Sequence, residues 1–372
     1  MQDRPLVSVV IPSYNHVKYI GRAIDSALGQ SWPHVEVVVI DDGSHDGSHE
    51  FVKQRYGQDP RVKATRRDNR GAHQTLNEAM ATARGAYLSI LNSDDFYEPT
   101  RLARLVEAAE RRDGPFFAIT GLRLVDESGT PFDPSSGYNE YYDMVCRLAA
   151  GKPDLFGFWC GNIAMTTSNF FFSRSALDAL GPFRDLRYAH DWDWALRASA
   201  RFNVLRLDEP LLNYRIHGGN TILESDPWAH RVEDAFVWAS ALRAEKIDVG
   251  AAPEDYLTSL AANWGFPLLP TLYLLADRRG EAEQLRLIAT GALQQEMKVL
   301  SGQSDPLLWE PLPGALRELR DMRARLEPRA APDETPAAQE LASIKTSLAW
   351  KLVGWLWRLE TRKARKARRR AN

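Results

Sequence analysis

The chain has 372 residues, 44% apolar and 26% charged, with a formal net charge of −2; these values lie near the averages for soluble globular proteins and leave room for one large α/β domain plus an appendage. Its two cysteines, Cys146 and Cys160, are far from C-x-x-C spacing, which excludes a disulfide framework or a cysteine zinc site and makes a reducing compartment the expectation. No stretch reaches the ~18 uninterrupted apolar residues of a membrane span, so any membrane contact is expected to be peripheral.

In chain order, "LVSVVI" (6–11) reads as a strand, since the N-terminus shows no basic region followed by a longer apolar run and cleavage site. A helical stretch at 17–28 follows, then "VEVVVI" (35–40), a helix near 47–56, "RVKAT" (61–65), a helix at 72–83 and "AYLSIL" (86–91). Continuous β-branched runs alternating with helices predict a parallel sheet covered on both faces, with ligands at the C-terminal ends of its strands. Asp41 and Asp42 follow the second of these strands, and Asp94 and Asp95 follow the fourth. Topology alone therefore brings two acidic pairs to one rim.

The turn after the first strand reads "PSYNH", with neither GxGxxG nor GKS/T. The phosphates of a bound nucleotide then need another counter-charge, and paired acids at a strand end suggest a divalent cation as the bridge.

Beyond residue 114 the pattern is mixed: a strand near 116–125, a turn in "DESGTPFDPSSG", a helix near 139–150, then "TTSNFFFSRSAL", "YAHDWDWALRASARF" and "NVLRLDEPLLNYRIHGGN". Residues 223–326 read as a helical module and 327–340 as a Pro- and Ala-rich linker. In 341–372, Leu341, Ile344, Leu348, Leu352, Trp355 and Leu359 share one helical stripe, and "TRKARKARRR" adds seven Lys/Arg without an acid. A basic amphipathic helix of this kind suits an anionic membrane surface, with a docking or coiled-coil helix as the alternative.

The words "VSVVIPSYNHVKYIGRAIDSALGQSWPHVEVVVIDDGSHDGS", "LNSDDFYEP", "HDWDWALR" and "YRIHGGN" resemble, in order and spacing, the family 2 glycosyltransferases of GT-A fold, over residues 5 to 222. The resemblance implies a Rossmann-like mixed α/β sheet flanked by helices as a catalytic domain at 1–222. It also implies inverting transfer of a sugar from a nucleotide-sugar, a UDP-sugar being favoured, to an acceptor hydroxyl, with Mn²⁺ or Mg²⁺. The implied acceptor is a saccharide or lipid-linked saccharide of a bacterial surface polysaccharide or glycolipid. The expected location is cytoplasmic, peripheral on the inner face of the cell membrane through the tail, and no nucleic-acid partner is expected.

Carried over by position, Pro12 and Tyr14 of "PSYN" and Asp42 of "DDGS" are implied donor contacts, and Arg70 is a candidate for the diphosphate. Asp94 of "NSDD" matches the metal ligand. Asn92 stands where relatives commonly carry an acid, and is expected to reach ribose or the metal through its amide oxygen. His217 of "YRIHGGN" is the second candidate ligand, beside Gly218 and Gly219. Asp191 of "HDWDW" matches the general base, with Asp193 as its rival and His190 where a Glu is usual. Trp192 and Trp194 offer flat faces for an acceptor sugar.

Structural alternatives exist for each. Asp-Gly-Ser is a common turn signal, Asp95 can cap the helix after Pro99, a lone His is often structural, and large aromatics are commonly core. Two other readings compete: a degenerate sugar-nucleotide or polysaccharide binder, prompted by Asn92 and His190, and a nucleotidyltransferase, which would want a glycine-rich basic loop where "VVIPSYNHV" stands.

Overall fold

In the computed structural model, the described residues are 4–133, 142–143, 146–147, 150–151, 153–221, 233–234, 237–238 and 240–241. Most of the helical module, the linker and tail, and most of the helix expected near 139–150, lie outside them. The first compact unit is Met1–Glu224.

The expected alternation is present: β1 (Val7–Ser13), α1 (Ile20–Leu28), β2 (Val35–Asp41), α2 (Ser48–Tyr56), β3 (Val62–Arg66), α3 (Ala72–Thr82) and β4 (Tyr87–Ile90). Every residue of β2 is buried, as are six of the seven in β1, because helices cover both faces of a parallel sheet. α1 docks through Ile20, Ala23, Ile24 and Ala27, the i, i+3, i+4, i+7 stripe of an amphipathic helix. After β4 come β5 (Phe96–Tyr97), α4 (Arg101–Ala109), β6 (Phe117–Val125), α5 (Asp154–Cys160), a 3-10 turn at Thr167–Asn169, β7 (Phe171–Ser173), α6 (Arg174–Leu180), α7 (His190–Arg201) and β8 (Val204–Arg215).

One mixed sheet runs in the order β3-β2-β1-β4-β7-β6-β8-β5. β1, β2, β3 and β4 are mutually parallel, β7 runs antiparallel to both β4 and β6, and β6 is parallel to β8. Six strands therefore point the same way and end on one rim, while β5 and β7 begin there. That reversal matters: the segment entering β7, Thr166–Asn169, lands beside the end of β4. The register shift of β6 against β8 falls at Gly121, where a Cβ would stand 2.6 Å from the Asp208 carbonyl oxygen; only glycine admits that approach.

Beneath the rim, Arg101 is fully buried, its guanidinium bonding Thr120 Oγ1 and the Asn169 carbonyl and side-chain oxygens while lying 4.8 Å from the Tyr97 ring centroid. Among the described residues no helix is long and apolar enough to cross a membrane.

Candidate active site

The turns after β1 and β2 are zipped together. The Asn15 N–H donates to Ser44 Oγ (2.9 Å), the His45 N–H to Asn15 Oδ1 (2.8 Å), the His16 N–H to Ser48 Oγ (3.1 Å) and the Val17 N–H to Asp46 Oδ2 (2.9 Å). Pro12 lies within β1 opposite Ile40. Tyr14 is left 45% exposed, the one large hydrophobic so exposed among the described residues, and an open aromatic face at the strand rim is what a stacked base needs.

Asp42 is buried and engaged by its own chain. Oδ1 accepts from the Arg67 guanidinium and the Arg70 N–H (2.8 Å), and Oδ2 from the Gly71 N–H (2.9 Å). Gly43, at φ +80°, lets this turn press on Asn69, whose nitrogen would sit 3.0 Å from a Cβ there. Asp42 thus ties the 67–71 loop to the rim, and that loop presents the exposed Arg70 side chain.

Asp94 leaves the end of β4 and meets His217, which leaves the end of β8: His217 Nε2 is 3.0 Å from Asp94 Oδ2. His16, from the turn after β1, completes the cluster, and one ligand atom from each of His16, Asp94 and His217 lies within 4.8 Å of the others. The donors are one carboxylate oxygen and two imidazole nitrogens, a set that fits a divalent cation. Burial pushes the Asp94 carboxyl up, but the hydrogen bond from His217 and the nearby His16 and His217 rings outweigh it and hold it below the usual value. Burial pulls the His16 imidazole down, opposed by Asp94.

Around this cluster, the Tyr19 ring lies 4.9 Å from the His217 ring and is approached by the Arg215 guanidinium at 4.9 Å. Its hydroxyl donates to Glu127 Oε1 (2.9 Å); burial and that partner push it up to about 12. Arg215 Nε donates to the Asp94 carbonyl oxygen (2.7 Å).

Two neighbours of Asp94 are engaged by the protein itself. Asp95 does not cap the helix after Pro99: it accepts from Ser168 Oγ (2.5 Å) and the Arg215 N–H (2.8 Å), and so clamps the entry to β7 and the exit of β8 to the end of β4. Burial, then the charge of Asp94, push it well above the ordinary carboxylate range. The Asn92 amide is also held by the protein, donating to Thr166 Oγ1 (3.1 Å) and accepting from Thr167 Oγ1 (3.0 Å).

Asp191 stands in the first turn of α7 and accepts from Asn162 Nδ2 (2.8 Å) and the Trp192 N–H (2.7 Å). Burial raises the Tyr214 phenol, and the charges of Asp95, Asp94 and Asp191 add to the rise. Asp193, the rival base, is 1% exposed at its side chain and held by Arg184 and Arg197, each at 2.9 Å. It is a structural acid, because helical rotation turns it into the interior where two guanidiniums neutralise it.

The tryptophans require correction too. Trp194 is fully buried, among Phe117, Phe170, Phe172 and Phe183, and Trp192 is 5% exposed with Nε1 donating to the Phe158 carbonyl (2.6 Å). Neither offers an open face to a sugar; α7 uses Trp194 to dock on the sheet and Trp192 to bond α5. Sequence reasoning missed His16, Tyr19, Asn162 and Tyr214. For His16 a signal existed, since it follows the first strand within "PSYNH"; the others come together only through tertiary contacts.

Residues 8–181 match the family model described as Glycosyl transferase family 2. An uncharacterized glycosyltransferase of Nostoc sp. is 29% identical over 217 residues, 58% of this chain and 66% of that protein. Chondroitin synthase of Pasteurella multocida is 43% identical over 223 residues, 59% of this chain and 22% of the synthase. The match thus spans under two thirds of either relative. Among solved structures, S. aureus TarS 1–349 in complex with UDP-GlcNAc is 17% identical with a TM-score of 0.48, covering 78% of this chain and 92% of that one, a likeness too weak to bear on function.

Proposed function

We propose that this chain, which carries a glycosyl transferase family 2 domain in residues 8–181, moves a sugar from a nucleotide-sugar donor to an acceptor hydroxyl in bacterial polysaccharide or glycolipid synthesis, with inversion. The observation that carries the reading is the convergence of His16, Asp94 and His217 on the rim where six strands end, the place where open α/β sheets bind ligands.

In this reading Tyr14 stacks on the donor base, the Asp42-anchored loop shapes the nucleoside site, and Arg70 approaches the diphosphate. Asp94 and His217 hold a divalent cation, which when bound neutralises charge on the leaving diphosphate. Asp191, positioned by Asn162, takes the proton from the acceptor hydroxyl as that oxygen attacks the anomeric carbon and the nucleoside diphosphate departs. A UDP-sugar is the favoured donor. The glycosaminoglycan synthases among the relatives support a polysaccharide acceptor, and the basic tail at 341–372, on sequence alone, supports a peripheral anionic-membrane contact.

Calorimetry with UDP, GDP, dTDP and CDP, each with and without Mn²⁺, tests the core of the proposal. Metal-dependent binding of one nucleotide by the native chain, lost in Asp94→Ala, is the expected result; binding of none would favour a degenerate site. Equal vesicle co-sedimentation with and without residues 341–372 would remove the membrane contact.

A further inference from the structure

We infer that His16 is a third protein ligand of the cation, making the site one carboxylate and two imidazoles and selecting a first-row transition ion over Mg²⁺. The inference rests on the reading of Asp94 and His217 as metal ligands.

Three observations carry it. The ligand atoms of His16, Asp94 and His217 come from three turns, after β1, β4 and β8, and lie within 4.8 Å of one another. His16 is fixed at both ends: its N–H donates to Ser48 Oγ (3.1 Å) and its Nδ1 pairs with Ser93 Oγ (2.8 Å). With Nδ1 engaged by a hydroxyl, Nε2 is the nitrogen left to bind, the arrangement by which outer-shell partners orient ligating histidines.

Asn92 supplies the third observation. Its amide is spent on Thr166 and Thr167, so the position where a second acid is expected contributes no charge to the cluster. The protein ligands then carry one negative charge rather than two. Mg²⁺ prefers oxygen donors and retains water, whereas imidazole suits transition ions, whose affinities exceed that of a hard ion at nitrogen. Replacing a carboxylate by an imidazole therefore shifts the preference away from Mg²⁺.

The test uses the full chain with Mn²⁺ and, separately, Mg²⁺, alone and with UDP, followed by calorimetry and by pulsed EPR of bound Mn²⁺. The native protein is expected to bind Mn²⁺ at least tenfold more tightly than Mg²⁺ and to show nitrogen couplings from two imidazoles. His16→Ala should leave couplings from one imidazole and weaken Mn²⁺ about tenfold or more, with a much smaller change for Mg²⁺. Couplings from one imidazole in the native protein would overturn the inference, and need no variant to fold. Unchanged Mn²⁺ binding in His16→Ala, with binding abolished in Asp94→Ala, would remove His16 while leaving the proposed function standing. Intact Mn²⁺ binding in Asp94→Ala would instead bring down the parent reading.

Discussion

His217 Nε2 and Asp94 Oδ2 meet at 3.0 Å across 123 positions of chain. The contact exists because β4 and β8 both end on the same rim, and because Asp95, next to Asp94, and Arg215, two residues before His217, clamp those ends together.

Asp94→Ala should cut sugar transfer by about 10²–10³-fold, the range for losing one preorganised electrostatic stabiliser, while the rim clamp survives. Asp95 still accepts from the Arg215 N–H and Ser168 Oγ, and the Asp94 carbonyl that receives Arg215 Nε is main chain. Steady-state rates alongside circular dichroism check this; a native spectrum with unchanged rate would remove Asp94 from the mechanism.

Asp191→Asn keeps the shape of the side chain but cannot take a proton. Its kcat should fall by roughly 10²–10⁴-fold with nucleotide affinity within about twofold of native. Asn162→Ala, which frees Asp191 Oδ2 from its 2.8 Å partner, should lower kcat less and leave the nucleotide affinity alone. A loss of nucleotide binding in Asp191→Asn would place this acid on the donor instead.

Trp194 is core, so Trp194→Ala should destabilise the domain by about 3–5 kcal/mol, as for other buried aromatics truncated to Ala. Trp194→Phe should recover most of that stability with an unchanged acceptor KM. Denaturant unfolding and acceptor titration separate the outcomes: an acceptor KM raised by the Phe variant at native stability would restore the sugar-stacking role.

Glu36 gives a pH dependence far from the rim. Burial opposes its charge, but Ser8 Oγ (2.7 Å), the Arg84 N–H (2.6 Å) and Arg84 Nε (2.9 Å) outweigh it and hold the carboxyl below its ordinary 4.5. The folded value lies below the unfolded one, so this stabilisation is complete above about pH 4.5 and is lost as pH falls through the folded value. Glu36→Gln should lower stability by about 1–3 kcal/mol at pH 7 and flatten the acid limb below about pH 4.5. A parallel shift of the whole curve would show that the charge contributes nothing.

Much of the first half was legible because it depends on local pattern. "VSVVI" and "VEVVVI" are continuous β-branched runs, and the spacing of Ile20, Ala23, Ile24 and Ala27 defines a buried helical stripe, so the parallel strands and the rim holding Asp42 and Asp94 follow from residue order. β5 and β7 were not legible, since two or three residues carry no measurable periodicity. Asp193 and Trp194 misled for a related reason: within one helical turn, Asp191, Trp192, Asp193 and Trp194 are chemically alternating, and only packing decides which face solvent.

The sequence by itself determined the strand alternation, the acids at strand ends and the family resemblance, because each is written in neighbours along the chain. The tertiary structure alone decided that His16 joins Asp94 and His217, that Asn92 and Asp42 are engaged by their own protein, and that Arg101 and Arg197 are buried. Those outcomes depend on which strand lies beside which and where each helix rotates, so they are set by contacts between segments up to 123 positions apart that no local pattern encodes.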